Sequence, residues 1–319
     1  MALSPKDLAI RSTALWSTEA AACLGLSKYG TPVSVWMEKV GQRAEADSDD
    51  VDEEDAAAEE VTQTEAMYWG LALQPAIARR YSEITGEPLD SLEGVTIFSD
   101  EHPWMASHFD YRLSNNRRKL VECKSFYPSR RIEFGDEGSD DVPMDCLVQC
   151  LHEGYIAKAD VVDLAVLFGG QKFEIFTVPV RQDAVDMLID KLHAFWQHVE
   201  KREPPTPQTD EEVKALWQRD NGREVIATPE VERACAQLAQ IKENLKAGKE
   251  AKESLDVLIK NAIGEAAALR SADRSRILAT WKNSKDKLSF NKTQFAIDNP
   301  SLYERYTSMA PGSRRFLLK

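Results

Sequence analysis

MASHFDYRLSNNRRKLVECKS, residues 105–125, decides the fold. It holds two β-like runs, Met105–Leu113 and Leu120–Ser125, separated by the polar string SNNRRK. Asn tolerates tight backbone bends, so two such runs around a short polar loop predict a hairpin. The hairpin brings Asp110 of the first strand near Glu122 of the second. Side chains two apart on a strand share a face, so Glu122 and Lys124 point the same way. Asp, Glu and Lys thus converge on one surface.

Two carboxylates held close repel each other, and a hard cation relieves that repulsion. Mg²⁺ takes oxygen ligands at about 2.0–2.1 Å, usually one or two carboxylates with waters and a substrate phosphate. A Lys beside such a site holds or deprotonates the attacking water and stabilises charge on phosphorus. This is the equipment for metal-assisted hydrolysis of a phosphodiester. A Glu-x-Lys triplet alone is common in charged, solvated hairpins. An Asp on a predicted neighbouring strand, twelve residues before the Glu, is what makes this one informative.

Asp110…Glu122-Cys123-Lys124 resembles the PD-(D/E)xK nuclease signature. The flanks narrow the resemblance to the YqaJ-type viral recombinases, the phage lambda exonuclease-like family. They are STEAAACLG at 17–25, WGLALQPAIARRY at 69–81, QCLHEGYIA at 149–157 and DLAVLFGGQKFEIFTV at 163–178. They follow the family's order over roughly residues 11–200 and are together much more specific than the triad. The resemblance implies an α/β restriction-endonuclease-like core, a central mixed β-sheet flanked by helices. It implies a Mg²⁺-dependent exonuclease, with Mn²⁺ able to substitute, that digests linear double-stranded DNA from the 5′ end. The 3′ single strands left behind would go to a single-strand annealing protein. It also implies a homo-trimeric ring around DNA, encoded by a phage or prophage and acting in the bacterial cytoplasm.

The same resemblance extends to individual residues. Asp110 and Glu122 take the places of metal ligands and Lys124 that of the water-handling cation. The Cys123 backbone carbonyl, lying between the two side chains, would complete the shell. Gln74 stands before Pro75 where the family carries an acid, so a charge is missing there and Gln74 would bind metal weakly. Gln149 and His152 match a Gln-x-x-His/Tyr helix motif; Gln149 would lie near the metal or the scissile nucleotide, and His152 reads as a site residue or as a packed helix residue. Arg11 lies seven residues before Thr18, a spacing like that of the family's 5′-phosphate pocket. A guanidinium forks onto phosphate, and Ser17 or Thr18 at a helix N-terminus adds a donor. Trp16 reads as core or as a wedge against the terminal base pair. Two other readings stand beside the exonuclease: a structure-specific endonuclease of the same fold, and a DNA-end-binding protein with weakened catalysis, which Gln74 makes thinkable.

Composition narrows the setting. A chain of 319 residues with 43% hydrophobic content can bury a full core. It shows no membrane-length apolar run and no signal-like N-terminus. Its five cysteines form no CxxC pair and read as free thiols in a reducing compartment. The net charge of −13 is misleading, because residues 45–60 alone carry ten acids and no Lys or Arg. Residues 111–131 hold seven Lys or Arg against one acid, and residues 274–319 hold ten against three. Local patches, not net charge, decide phosphate binding.

Along the chain, Ser17 or Thr18 is expected to cap the helix EAAACL, and Thr31-Pro32 to open another. Residues 43–60 read as an acidic mobile loop. A helix over 61–85 places Met67, Leu71, Ile77 and Tyr81 near one face, with Pro75 as a kink or fresh start. Strands follow at 95–98, 105–113 and 119–125. A helix runs from Pro143 to Lys158, and Val161–Phe168 and Phe173–Val178 flank the hairpin signal Gly169-Gly170. A helix over 182–201 closes a core of residues 1–202. A Pro-rich linker at 203–210 leads to a helix-rich extension, 211–319, whose basic, aromatic tail is expected to pack on the core.

Overall fold

The structure is a computed structural model and describes residues 10–41, 64–286, 288–308 and 312–318. The acidic stretch 43–60 lies outside the described residues. The chain divides into two compact units, Met1–Leu216 and Trp217–Lys319.

The first unit begins with β1 (Leu15–Trp16), α1 (Ser17–Cys23), α2 (Pro32–Val40) and α3 (Glu65–Thr85). The strands β2 (Leu89–Ser91), β3 (Thr96–Phe98), β4 (Met105–His108), β5 (Tyr111–Leu113) and β6 (Lys119–Phe126) follow. A 3-10 turn, Pro128–Glu133, leads to α4 (Met144–Ile156), β7 (Val161–Phe168), β8 (Lys172–Pro179), α5 (Gln182–Lys201) and α6 (Asp210–Leu216).

Five strands form a mixed sheet in the order β2-β5-β6-β7-β8. Only β6 and β7 are parallel, and α4 lies in the connection between them, as a parallel pair requires. The mixed α/β class expected from sequence is the one observed. The hairpin is present too, with Tyr111 opposite Val121. The single strand expected over Met105–Leu113 is not. It breaks at Phe109–Asp110, and β4 belongs to a separate three-stranded sheet, β1-β4-β3. The break turns Asp110 from a ladder residue into one whose side chain is free to reach across the strand end.

Strand alternation sorts the faces of β6. Leu120 joins the large core built with Cys146, Cys150 and Leu192, on the side of α4 and α5. Val121 joins a second core with Ile77 and Tyr81, on the side of α3. Buried Asp163 of β7 is held by the Tyr81 hydroxyl at 2.6 Å, Lys119 at 2.6 Å and Thr177 at 2.9 Å, which satisfies a charge that would otherwise be costly. Gly169 and Gly170 supply the positive φ of the β7–β8 turn.

Three local expectations differ from the structure. The side chain of Thr31 does cap α2, and Gly41 stops it in the left-handed conformation. In α1, however, Trp16 is the N-cap and its N–H donates to Glu19 Oε2 at 3.1 Å, so Ser17 and Thr18 lie inside the helix. In α3, Met67 and Leu71 are exposed; Leu73 is partly buried against the core, and the buried residues Ile77, Ala78 and Tyr81 come in the later turns. The helix runs through Pro75 without a new start. The linker region is also more ordered than its composition suggests. Pro205 is buried, and α6 belongs to the first unit, where Glu212 accepts from the Gln208 and Thr209 N–H groups.

In the second unit, the spacing over 229–270 resolves as one helix, α7 (Pro229–Ile263), capped by Thr228. A short antiparallel pair, β9 (Ala268–Arg270) and β10 (Ile277–Thr280), and two short helices, α8 (Lys292–Asp298) and α9 (Pro300–Arg305), follow. Most apolar residues of α7, including Leu245, Leu255 and Leu258, are exposed.

Candidate active site

The site forms where β6 outruns β5. Pairing between the two strands ends at Tyr111–Val121, so the next outward N–H of β6, that of Cys123, has no ladder partner. Asp110 Oδ2 accepts it at 2.8 Å. A strand residue turns its N–H and C=O toward the same neighbour, so the Cys123 carbonyl faces this same open edge. Glu122 and Lys124 point to the α4 side, with Lys124 Nζ 2.8 Å from Glu122 Oε1.

Helix α4 completes the cluster. Gln149 Oε1 accepts from Lys124 Nζ at 2.9 Å. Its amide nitrogen donates to Glu122 at 2.7 Å and to Glu153 at 2.8 Å. Glu153 lies one helical turn beyond Gln149 and is 2% exposed. It was not singled out from sequence, although the Gln149–Glu153 spacing on a helix contacting the Glu-x-Lys strand is a usable signal.

The electrostatics show an excess of negative charge. Burial, then the Glu122 charge, pushes the Asp110 carboxyl well above its ordinary range. The same two causes, in the same order, raise Glu153. For Lys124, burial works against the charged form, but Glu122 and Glu153 outweigh it and hold the ammonium above its usual range. Lys124 is thus held as a cation that donates its hydrogen bonds to Glu122 and Gln149. Three carboxyl groups surround one ammonium, and their hard oxygens suit Mg²⁺. Asp110, Glu122 and the Cys123 carbonyl form a fitting donor set. No cluster of three or more His, Cys, Asp or Glu in metal-holding geometry occurs among the described residues, so the protein would supply two carboxylates and one backbone carbonyl, and solvent or substrate the rest.

The other expected site residues make no hydrogen bond to this cluster. Gln74 is on α3, whose core residues pack on the Val121 face, and it hydrogen-bonds to no member of the cluster. His152 is 0% exposed and cannot touch DNA in this structure. Its ring nitrogens have no hydrogen-bond partner among the described residues, and burial pushes its pKa down to about 3, against a weaker opposing effect of the Leu15 backbone. Trp16 is buried too, stacked on His108 at 4.7 Å between ring centroids, so it is core rather than wedge. Ser17 is buried and accepts from Ser107 Oγ at 2.8 Å. Thr18 is exposed. Arg11 pairs with Glu19 at 3.2 Å, and the same carboxylate holds the fully buried Lys39 at 2.6 Å. Arg11 and Lys39 thus meet at Glu19 instead of at Thr18.

Fold and site together define an α/β protein with Asp110, Glu122 and Lys124 gathered at a strand end. Residues 8–160 match the model of the YqaJ-like viral recombinase domain. The uncharacterised protein YqaJ of Bacillus subtilis (strain 168) is 24% identical over 188 residues, 58% of this chain and 53% of that protein. The chain thus spans about half the length of this curated relative. Among solved structures, the alkaline exonuclease LHK-Exo from Laribacter hongkongensis is similar with a TM-score of 0.47 at 15% identity, over 61% of this chain and 92% of that one. A phage related exonuclease from Haemophilus somnus 129PT gives 0.43 at 9% identity, over 61% and 97%. Among the described residues no helix is long and apolar enough to cross a membrane.

Proposed function

We propose that the protein is a Mg²⁺-dependent 5′-to-3′ exonuclease on linear double-stranded DNA, leaving 3′ single strands for annealing recombination. The observation that carries this reading is that Gln149 joins Lys124 to Glu122 while the Cys123 N–H holds Asp110 beside them at one strand end. Asp110, Glu122 and the Cys123 carbonyl would hold the cation, which when bound supplies Lewis-acid stabilisation of charge developing on phosphorus. Lys124 donates a hydrogen bond to the attacking water or to a phosphate oxygen in the transition state. Gln149 fixes the ammonium for that task, because its amide oxygen accepts from Lys124 while its amide nitrogen is tied to two carboxylates. A homo-trimeric ring and an annealing partner belong to the same reading and rest on the family resemblance.

The test uses linear duplex with one 5′-phosphorylated and one 5′-hydroxyl end, with and without Mg²⁺, beside a covalently closed circle. Mg²⁺-dependent loss of the linear substrate with the circle intact supports the exonuclease. Cutting of the circle favours the endonuclease of the same fold. Faster digestion from the phosphorylated end, abolished by Arg11→Ala, would support a terminal phosphate contact at Arg11. A charged hydrogen bond of about 1.5–3 kcal/mol makes that preference roughly ten- to a hundred-fold.

A further inference from the structure

We infer that the second unit carries a binding surface for single-stranded nucleic acid, a function separate from the cluster on β6. In this acidic chain, residues 274–319 hold ten Lys or Arg against three acids. The same segment exposes aromatic rings that a globular unit would ordinarily bury. Trp281, Phe290, Tyr306 and Phe316 are between 51% and 78% exposed. Exposed apolar surface on this scale marks an interaction site.

The chemistry of the surface selects its occupant. Cations stand against the rings: Lys292 Nζ lies 5.6 Å from the Tyr303 ring centre, Arg305 is 5.6 Å from that of Tyr306, and Lys242 is 5.9 Å from that of Phe316. Lys282, Lys285 and Arg315 form no ion pair with any described residue, so their charge is available. A duplex presents phosphates but keeps its bases stacked inside, and would use the cations while leaving the rings idle. An unpaired strand uses both, stacking bases on the rings and laying phosphates along the cations. Alternation of the two along one segment is the pattern such a strand needs. The binding tolerates sequence, because every base has a stacking face. The inference does not depend on the nuclease reading, since binding alone is claimed.

The test uses the full-length protein in EDTA and a fluorescein-labelled oligothymidylate of about 20 nucleotides, a length on the scale of single-strand site sizes. A blunt hairpin duplex is the comparison, and fluorescence anisotropy is the readout. The oligothymidylate should bind more tightly than the duplex. Phe290→Ala and Tyr306→Ala, both at exposed positions, should each weaken single-strand binding by about five-fold or more and leave duplex binding unchanged. Lys282→Ala with Lys285→Ala should reduce the salt dependence of single-strand binding. Melting temperatures of the variants, and photo-crosslinking of a 5-iodouracil oligonucleotide to the wild type, guard against misfolding; crosslinks should fall within residues 281–316. Duplex binding as tight as single-strand binding, or crosslinks confined to the first unit, would overturn the inference. Unchanged single-strand affinity in the aromatic variants together with an altered oligomeric state would also overturn it, and would mark the surface as a contact between protein chains.

Discussion

His152 offers a sharp test, because its burial has a consequence for stability that can be worked out in advance. The imidazole is fully enclosed, with a folded-state pKa near 3. In the unfolded chain it titrates near about 6.5. Above that value both states are neutral and His152 adds nothing to the pH dependence. Below it the unfolded state takes up a proton that the folded state refuses, so stability falls as pH drops from 6.5 toward 3. Each pH unit inside that window is worth about 1.4 kcal/mol. Between pH 8 and pH 5.5 the loss from this one residue is thus about 1.4 kcal/mol, with pH kept above the isoelectric point of about 5.0. Asp110 and Glu153, whose folded pKa values are raised, act in the opposite direction: their contribution is present at low pH and lost as pH rises. His152→Leu isolates the histidine, because every other group is common to both proteins. Urea unfolding of wild type and His152→Leu at the two pH values gives the difference. The wild type should lose about 1.4 kcal/mol more than the variant, or about 0.5 M in midpoint at a slope of about 2–3 kcal/mol per molar. Parallel losses in the two proteins would refute the neutral, sealed imidazole and return His152 to a surface able to meet DNA.

Three further outcomes follow from the cluster on β6. Lys124→Ala should lower cleavage by at least about a hundred-fold, the usual effect of losing a transition-state donor, with duplex binding by anisotropy nearly unchanged. Near-normal turnover would remove Lys124 from the chemistry. Glu153→Ala frees one end of the Gln149 amide and should lower kcat about ten-fold with little change in KM, while Glu153→Gln, which keeps an acceptor oxygen, should recover most of it. Equal kcat values in Glu153→Ala and wild type would reduce Glu153 to a bystander. Gln74→Glu should leave the Mg²⁺ concentration for half-maximal rate unchanged, because Gln74 makes no hydrogen bond to the cluster; a clear tightening would mean that Gln74 reaches the cation.

What was legible in the sequence was what depends on local pattern. The hairpin over 111–126, the helices opened by Thr31 and Pro143, and the Gly169-Gly170 turn all announce themselves through alternation, caps and backbone freedom. Glu122 and Lys124 could be paired because strand periodicity alone puts them on one face. What stayed hidden depends on contacts between distant segments. The break at Phe109–Asp110 follows from β4 leaving the main sheet to pair with β1 and β3, which no window around residue 110 reports. His152 and Trp16 sit in patterns that could face either way, and burial was decided by α1, α4 and β4 meeting. The place of Glu153 in the cluster depends on Gln149 meeting Glu122 and Lys124, which is a tertiary contact. A phosphate-binding role for Arg11 is implied by the family resemblance alone, and in three dimensions Arg11 pairs with Glu19.

The hydrogen bond from Cys123 N–H to Asp110 gives that carboxylate a second occupation as a surrogate strand. It closes the backbone ladder of β6 at the point where β5 stops, so the residue proposed for chemistry also splints the sheet edge. The two duties can be separated by substitution. Alanine at 110 would discard both and leave a strand amide begging for water, confounding a dead enzyme with a frayed one. Asparagine retains an oxygen for the Cys123 amide and discards only the charge, which makes Asp110→Asn the natural choice for an inert protein with an intact framework, suited to trapping bound DNA.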